Sequence, residues 1–389
     1  MNNITRTLQE YLIEEAKYFP VVSLSGPRQA GKSTLLRQTF KDFELISLED
    51  PDTLKIAEGD PRGFLEYYSK GVIIDEVQRM PELFSYIQGY VDKDRTPGRF
   101  ILSGSQNYLM HKHITQSLAG RVSLSTLLPL DLTELNATDY RLEDVNELII
   151  RGFYPGKIKD GIPSVMFYRN YVKTYLERDV SDLISPSKLT TFRSFLRFLA
   201  HACGQPSNLS KISNDLDVSM NTLKSWLQIL ESSYIVFTLP PYSRNLGKRL
   251  IKSPKIYFYD VGLLCYLLDI NSIDKLVMNE KQGTVFENFI ISEKVKRNAH
   301  QHGVTEHFYF RDSNGLEIDL VEVFSDGSQS MTEIKAGKTF KTQFTSTLKK
   351  LNAIDSDLGM NCIYNGDKDL KYQGVNVKNW KFLYGKSEE

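Results

Sequence analysis

The chain has 389 residues, of which 41% are hydrophobic and 25% charged, and its 48 basic and 48 acidic residues give a formal net charge of zero. This length is too great for one ordinary core and predicts roughly two or three domains. The composition is typical of a soluble globular protein, contains no run of the roughly 18 apolar residues that a membrane helix needs, and excludes a global attraction to nucleic acid.

The first predicted element is an amphipathic helix in MNNITRTLQEYLIEEAKYF, which lacks the basic flank and apolar core of a secretory signal. Three scattered cysteines, Cys203, Cys265 and Cys362, form neither a ligand-like cluster nor a disulfide framework. These features predict a cytoplasmic protein without a membrane partner.

From Pro20 to about Leu130, short β-branched runs alternate with helical patterns, which predicts a parallel α/β sheet. The first strand is followed by GPRQAGKS, a P-loop pattern in the required context of strand, loop and helix. Glycines let backbone N–H groups turn toward phosphate oxygens, and the helix adds its positive end. The predicted nucleotide-binding residues are Gly26, Pro27, Arg28, Gln29, Ala30, Gly31, Lys32, Ser33 and Thr34.

Charged and hydroxyl side chains at these positions predict ATP hydrolysis with Mg²⁺. Lys32 is expected to reach the β and γ phosphates, Ser33 to ligate Mg²⁺ and Thr34 to support the α phosphate. The run GVIIDE ends a buried strand with two carboxylates. Asp75 is expected to hold the magnesium shell, and Glu76 to orient or deprotonate the attacking water.

Three further residues are candidates for the site and also have an alternative structural interpretation. Ser103 and Ser105 end the strand RFILSGS, where a γ-phosphate sensor would lie, although serine also ends strands for turn reasons. Arg121 precedes the next strand and is a candidate arginine finger, acting in cis or from a neighbouring subunit of a homo-oligomer. A structural ion pair is the alternative for Arg121.

From Gln205 to Tyr259 the pattern is helix, tight turn, helix and β-ribbon, which predicts a winged helix. The ribbon has several basic residues and no acidic residue from Tyr242 to Tyr259, so it could contact DNA phosphates. The alternatives are a solvated charge run or a protein-binding winged helix. The predicted nucleic-acid contacts are Lys224, Arg244, Lys248, Arg249, Lys252 and Lys255.

Two runs near the carboxyl end, NGLEIDLVEV and TEIKAG, alternate apolar and charged residues and predict half-buried strands. Glu317 and Asp319 share one strand face, as do Glu333 and Lys335. This arrangement is that of PD-(D/E)xK nucleases, in which carboxylates hold Mg²⁺ and lysine stabilises charge on phosphate. The predicted metal ligands are Glu287 on a preceding helix, Asp319 and Glu333, with Lys335 beside them; the alternative is a solvated sheet face.

Several runs, in this order, resemble the prokaryotic AAA-like P-loop ATPases (AAA_14 type) with a C-terminal DUF4143 domain: GPRQAGKSTLL, IIDEVQRMPELF, ILSGSQNYLM, SLAGR with LPLDLTEL, YVKTYLERDV, and GLEIDLVEV with EIKAGK. The resemblance implies an ASCE-type ATPase core, a winged-helix-like middle and a C-terminal fold similar to restriction endonucleases. The expected α/β architecture is a P-loop ATPase domain at 1–135, a helical linker region at 136–204, a winged helix at 205–259 and a DUF4143-type nuclease-like domain at 260–389.

Together these features predict a Mg²⁺-dependent ATPase that couples ATP binding and hydrolysis to a winged-helix and nuclease-like module acting on or binding DNA. The alternative is a nucleotide-gated signalling or regulatory ATPase whose C-terminal domains bind protein partners and do not cleave nucleic acid. Whether the C-terminal domain cleaves is left open by the sequence.

Overall fold

The computed structural model of the chain describes residues 4–68, 70–105, 117–136, 138–176, 184–242, 253–352 and 359–385. The chain divides into two compact units. The first comprises Met1–Leu130, Ser232–Tyr234 and Ala299–His302, and the second comprises Asp131–Glu231, Ile235–Asn298 and Gly303–Glu389. The finer division into four domains stays a prediction.

The first unit is built on a five-stranded sheet in the order β2-β3-β4-β1-β5. Its strands are β1 (Val21–Ser25), β2 (Glu44–Ser47), β3 (Val72–Asp75), β4 (Phe100–Gly104) and β5 (Val122–Thr126). All four pairings are parallel, as predicted, so the carboxyl ends of the strands meet at one edge. Every residue of β1, β3 and β4 is buried, which is expected when helices cover both faces of a parallel sheet.

Helices of the first unit pack on the two faces of this sheet. They are α1 (Leu8–Glu15), α2 (Lys32–Thr39), α3 (Pro51–Gly59), α4 (Pro61–Tyr67) and α5 (Leu83–Val91). Successive residues of β3 point to opposite faces, so Val72 and Ile74 belong to the core with α3, α4 and α5, whereas Ile73 belongs to the core with α1 and α2. The sequence also fixes two helix starts, because Asp50 and Asp60 accept backbone N–H bonds just before a proline.

The second unit begins with helices and continues with a helical pair and a two-stranded ribbon. The helices before the ribbon are α6 (Leu132–Asn136), α7 (Val145–Arg151), α8 (Pro155–Lys159), α9 (Ser164–Tyr171), α10 (Leu189–His201), α11 (Leu209–Leu216) and α12 (Met220–Ser232). Asp217, with a φ of 51°, makes the tight turn between α11 and α12. The ribbon strands β6 (Val236–Leu239) and β7 (Lys255–Phe258) pair antiparallel, and Pro206 forms an additional bridge to Lys255.

The rest of the second unit surrounds a six-stranded mixed sheet in the order β12-β13-β11-β10-β9-β8. Its strands are β8 (Glu306–Arg311), β9 (Glu317–Val323), β10 (Gln329–Lys335), β11 (Gly359–Tyr364), β12 (Leu370–Tyr372) and β13 (Val375–Asn379). The accompanying helices are α13 (Val261–Leu267), α14 (Ile273–Met278), α15 (Gln282–His300) and α16 (Ser346–Asn352). The two predicted strands are thus confirmed as β9 and β10, neighbours in an antiparallel pair.

The described helices include none with both the length and the apolar character needed to cross a membrane.

One buried cation in the second unit gives a pH-dependent stability. Lys157 is 3% exposed, and burial lowers its pKa to about 8 although Asp260 opposes the shift. Because the fold favours the neutral amine, Lys157 costs stability below its folded pKa, and this cost disappears as pH rises from about 8 toward its ordinary value. Lys157→Met should therefore increase the free energy of unfolding near neutral pH by roughly 1–3 kcal/mol.

Calorimetry of the full chain at about pH 7 and about pH 9.5 would test this effect. We expect the gain in Tm to be larger at the lower pH and to be absent in Lys159→Met, which removes an exposed lysine from the same helix. Equal Tm values for wild type and Lys157→Met at the lower pH would contradict it.

Candidate functional site

The loop between β1 and α2, residues 26–31, requires glycine at both ends. Gly26 has a φ of +152°, and a Cβ there would lie 2.1 Å from the Leu127 carbonyl oxygen. Gly31 has a φ of +95° and forms the N-cap of α2. Such a loop directs backbone N–H groups and the positive end of the following helix at one point, which is the geometry of an anion site.

Two buried side chains that carry no sequence motif hold this loop in place. Arg6 donates to the carbonyl oxygens of Ala30 and Leu128, each at 2.7 Å. At the other end of the loop, the hydroxyl groups of Ser25 and Tyr234 lie 2.6 Å apart in a hydrogen bond. Neither Arg6 nor Tyr234 was predicted, since their contacts depend on residues far away in the sequence. They act as positioning residues for the loop.

The predicted nucleotide-binding residues therefore lie together in one loop and the first turn of α2. The Lys32 side chain is buried, and its Nζ donates to the Gly26 carbonyl at 2.8 Å and to the Pro27 carbonyl at 3.0 Å. Arg28 at the rim of the loop lies 3.6 Å from Glu49. The Lys32 ammonium group is thus held against the backbone of the loop by two hydrogen bonds.

Asp75 links the loop to the neighbouring strands. The Ser33 hydroxyl donates to Asp75 Oδ2 at 2.7 Å, and the Ser103 hydroxyl donates to Asp75 Oδ1 at 2.5 Å. This convergence follows from the sheet order, because β4 lies between β1 and β3 and brings Ser103 beside the buried carboxylate. One strand, β4, thus separates the P-loop strand β1 from the acidic strand β3.

The backbone and two hydrogen-bond donors fix the direction of the Glu76 carboxylate. The backbone of Glu76 is left-handed, with a φ of 54°, a conformation that is uncommon for residues other than glycine. Gln78 and Ser105 both donate to Glu76 Oε2, the latter at 3.2 Å. Gln78 was not predicted; its only sequence signal is that it lies two residues after Glu76. The carboxylate is therefore aimed by two hydrogen bonds and a constrained backbone.

Arg121 lies at the opposite edge of the sheet from this site. Its carbonyl accepts from Val21 N at the start of β1, whereas the loop follows Ser25 at the end of β1. At about 3.3 Å per residue the two ends of β1 are roughly 13 Å apart. Arg121 Nε instead pairs with Asp92 at 2.6 Å. The structure thus shows the ion-pair alternative for Arg121, at the end of the sheet away from its own loop, and a role as an arginine finger stays a prediction.

A second group of charged side chains lies on the C-terminal sheet. Asp319 Oδ2 accepts from Ile334 N at 2.7 Å and lies 3.5 Å from Lys335 Nζ, which also pairs with Glu333. Asp319 and Glu333 were predicted to meet at this place, and the antiparallel pairing of β9 and β10 brings them together. We call Glu287, Glu317, Asp319 and Glu333 the carboxylate centre.

Lys255 forms ion pairs with the carboxylate centre and is not a surface contact for phosphate. It is 1% exposed, and its Nζ lies 2.5 Å from Glu317 and 3.6 Å from Glu287. The prediction that Lys255 contacts nucleic acid is therefore wrong, because a buried, ion-paired ammonium group is not available to an external phosphate. Tyr257, two residues along the same strand, donates to Glu287 Oε1 at 2.6 Å. The period of two in KIYF was the signal that these side chains share a face.

The carboxylates of the centre influence one another. Burial, followed by the charge of Asp319, raises the pKa of Glu287 and of Glu333 to about 7 in each case. Burial opposes the charged form of Lys335, but Asp319 and Glu333 outweigh it and raise the pKa of Lys335. Within the described part of the chain, Glu287, Asp319 and Glu333 do not bring three ligand atoms within 4.8 Å of one another. The centre is a network of ion pairs with excess negative charge.

The remaining predicted nucleic-acid contacts can be placed only in part. Lys224 is exposed on α12, beside the exposed Asn221 and Ser225. The others, Arg244, Lys248, Arg249 and Lys252, lie outside the described residues.

Comparison with protein families gives three matches in chain order. Residues 18–136 match the model described as an AAA domain, and residues 282–383 match a domain of unknown function, DUF4143. Between them, residues 142–274 match another domain of unknown function, DUF8612. This last match covers the stretch that the sequence analysis divided into a linker region and a winged helix.

Relatives and solved structures were also found. Uncharacterized proteins of Mycobacterium tuberculosis and Mycobacterium bovis are 34% identical over 306 residues, which is 77% of this chain and 67% of each relative. An uncharacterized protein of Methanocaldococcus jannaschii is 22% identical over 397 residues, or 94% of this chain and 83% of that protein. A Walker-type ATPase of Pyrococcus abyssi has a TM-score of 0.47 and 15% identity over 67% of this chain and 94% of its own.

The AAA-domain match falls on the residues that form the parallel sheet, and the DUF4143 match falls on the residues that form the six-stranded sheet. The chain belongs to the family of AAA-like P-loop ATPases that carry a C-terminal DUF4143 domain.

Proposed function

We propose that the protein binds ATP with Mg²⁺, hydrolyses it, and couples this cycle to a winged-helix and nuclease-like module that acts on or binds DNA. The observation that carries the proposal is a pair of hydrogen bonds beside the P-loop, in which Ser33 and Ser103 both donate to Asp75. The two side chains proposed as Mg²⁺ ligands and the one proposed as γ-phosphate sensor thus lie at one end of one sheet.

The residues of this set fit a magnesium-bound nucleotide. Ser33 and Asp75 offer adjacent hard oxygen atoms, which suit Mg²⁺. When bound, the ion would neutralise charge on the phosphate oxygens. The backbone N–H groups of the loop and the Lys32 ammonium would hold the phosphates, because both are directed into the same cradle.

Glu76 is the proposed general base. Its carboxylate would orient the attacking water and accept its proton, while Gln78 and Ser105 hold it in place. Ser103, bonded to Asp75, would respond to the γ phosphate. Arg121 is proposed to act only on the site of a neighbouring subunit in a homo-oligomer, since the sheet separates it from its own loop.

The second unit supplies the proposed DNA-acting module. The α11–α12 pair, the β6–β7 ribbon and the Pro206 bridge support a winged helix, with Lys224 on the exposed face of the second helix. The helix α15, the meander β8–β9–β10 and the parallel strand β11 support a nuclease-like fold. There Glu287, Asp319 and Glu333 are the proposed ligands of a divalent cation, which would have to draw their oxygen atoms closer together than they lie here, and Lys335 would stabilise charge on phosphate.

A specific observation favours the alternative, a nucleotide-gated regulatory ATPase. Lys255, Lys335 and Arg311 already form ion pairs with members of the carboxylate centre. These three cations offset most of the charge of the four carboxylates without a metal ion, and a nuclease-like fold with this network could bind a protein partner instead of cleaving DNA.

ATP turnover measured with and without duplex DNA separates the two functions. The DNA-acting ATPase predicts turnover that requires Mg²⁺ and rises several-fold with DNA, and a regulatory ATPase predicts turnover that DNA leaves unchanged. Incubation with plasmid and Mg²⁺ or Mn²⁺ then tests cleavage. Nicking that persists in the double variant Asp319→Asn with Glu333→Gln would assign the cleavage to something other than the carboxylate centre.

A further inference from the structure

We propose that a lysine patch on the C-terminal sheet binds the phosphodiester backbone of nucleic acid and leads it to the carboxylate centre. The patch consists of Lys338, Lys341, Lys349 and Lys368. The inference rests on the proposed action on DNA and names the surface of the nuclease-like domain that holds the substrate.

The C-terminal part of the chain, from Lys335 onward, is rich in lysine, whereas the whole chain has no net charge. Among the described residues from Lys335 to Gly385 there are nine lysines, and the acidic residues there are Asp367 and Asp369. Lys338, Lys341 and Lys368 are exposed, and Lys349 is half-buried. None of the four patch lysines forms an ion pair with another described residue. Their charge is therefore available to a phosphate backbone, although the chain as a whole is neutral.

An aromatic cluster lies beside the patch lysines. Phe340, between two patch lysines in the sequence, packs edge-on against Tyr372 at 5.5 Å and Tyr364 at 6.4 Å between ring centroids. The Lys349 ammonium lies 4.2 Å from the centroid of the Tyr372 ring. The Tyr364 hydroxyl bonds to the backbone of Lys368, donating to its carbonyl at 2.6 Å and accepting from its N–H at 3.2 Å. Lys349 and Lys368 thus contact one aromatic cluster, and Lys338 and Lys341 flank its Phe340 in the sequence.

The same cluster connects the patch to the carboxylate centre. Tyr364 on β11 is directly opposite Lys335 on β10 in the parallel register. Adjacent strands are about 4.8 Å apart, so the aromatic cluster begins one strand away from Lys335 and its partner Glu333, and Lys338 follows Lys335 by three residues. Carboxylates repel a polyanion, and a fixed positive surface next to them offsets that repulsion. A backbone lying on the patch would bring its next phosphate to Lys335.

Binding of a labelled DNA duplex to the full chain, followed by fluorescence anisotropy at about 50 to 200 mM salt, tests the inference. The patch variant is Lys338→Gln with Lys341→Gln and Lys349→Gln. The matched control is Lys41→Gln with Lys55→Gln and Lys70→Gln, which removes three exposed lysines from the first unit. We expect the slope of log Kd against log salt to fall by about 2 to 3 in the patch variant and to stay unchanged in the control. ATP turnover of both variants should equal that of wild type.

Three other results would each contradict the proposal in a different way. A patch variant that binds DNA with the wild-type slope overturns the patch and leaves the proposed DNA-acting function standing. A wild-type chain that does not bind DNA overturns both. Binding of an acidic polypeptide that is stronger than binding of DNA, and is lost in the patch variant, replaces nucleic acid by a protein partner and overturns the assignment of the ligand.

Discussion

Lys32→Ala and Glu76→Gln should each lower ATP turnover by about 100-fold or more, but for different reasons. Lys32 donates to loop carbonyls and is held over the phosphate cradle, so its loss removes positive charge from the bound nucleotide and weakens binding together with turnover. Glu76 does not belong to the cradle. Its replacement by glutamine keeps the shape and removes the base, so nucleotide affinity should stay within about 3-fold of wild type.

Steady-state ATP hydrolysis and titration with a fluorescent ATP analogue distinguish these two effects. Suitable controls are Lys41→Ala, an exposed lysine just after α2, and Glu44→Gln, an exposed acid on β2, and both should behave like wild type. Turnover near the wild-type rate in Lys32→Ala would refute ATP hydrolysis at this loop. Normal turnover in Glu76→Gln would remove Glu76 from the role of general base and leave the binding site intact.

The geometry of the loop after β1 was predictable because it depends on residues that are close together in the sequence. The P-loop needs glycine at positions 26 and 31 for backbone reasons, and Lys32 and Ser33 follow in the same turn of chain. The position of Asp75 also followed from its own strand, since a carboxylate that ends a buried strand of a parallel sheet lies at the same edge as the loop. Sequence periodicity and a motif were sufficient in these cases.

Other parts of the site were not predictable because they depend on long-range contacts. Arg6 reaches the loop only because the amino-terminal segment packs beside Leu128, and no local pattern indicates that contact. Arg121 was assigned correctly to the start of a strand, but its distance from the loop depends on the direction in which β5 runs beside β1. Lys255 was read as one of a run of basic residues, whereas its partners are supplied by a helix and a strand that follow later in the chain.

The second large effect is expected on stability, from substitution of the buried Lys255. Lys255→Met should lower the free energy of unfolding of the second unit by about 3–5 kcal/mol, because it leaves the largely buried Glu287 without its cation. Burial opposes the charged form of Lys255, and the charges of Glu287 and Glu317 outweigh it and raise the pKa of Lys255. Glu317 keeps Arg311 at 3.3 Å, but Glu287 loses its ion pair and retains the hydrogen bond from Tyr257.

Denaturant unfolding of the full chain at about pH 5.5 and about pH 8 can show that the loss is electrostatic. The pKa of Glu287 is raised to about 7 even with Lys255 present, so without that cation the carboxyl becomes neutral readily at the lower pH. The folded state then has no unpaired charge at Glu287, and the deficit of Lys255→Met should be smaller at the lower pH. Adding Glu287→Gln should recover part of the loss at the higher pH, while Lys371→Met, at an exposed position, should be neutral throughout. A deficit that is equal at both pH values and is not recovered by Glu287→Gln would mean that Lys255 stabilises the fold by packing, and that the carboxylate centre does not depend on it for charge balance.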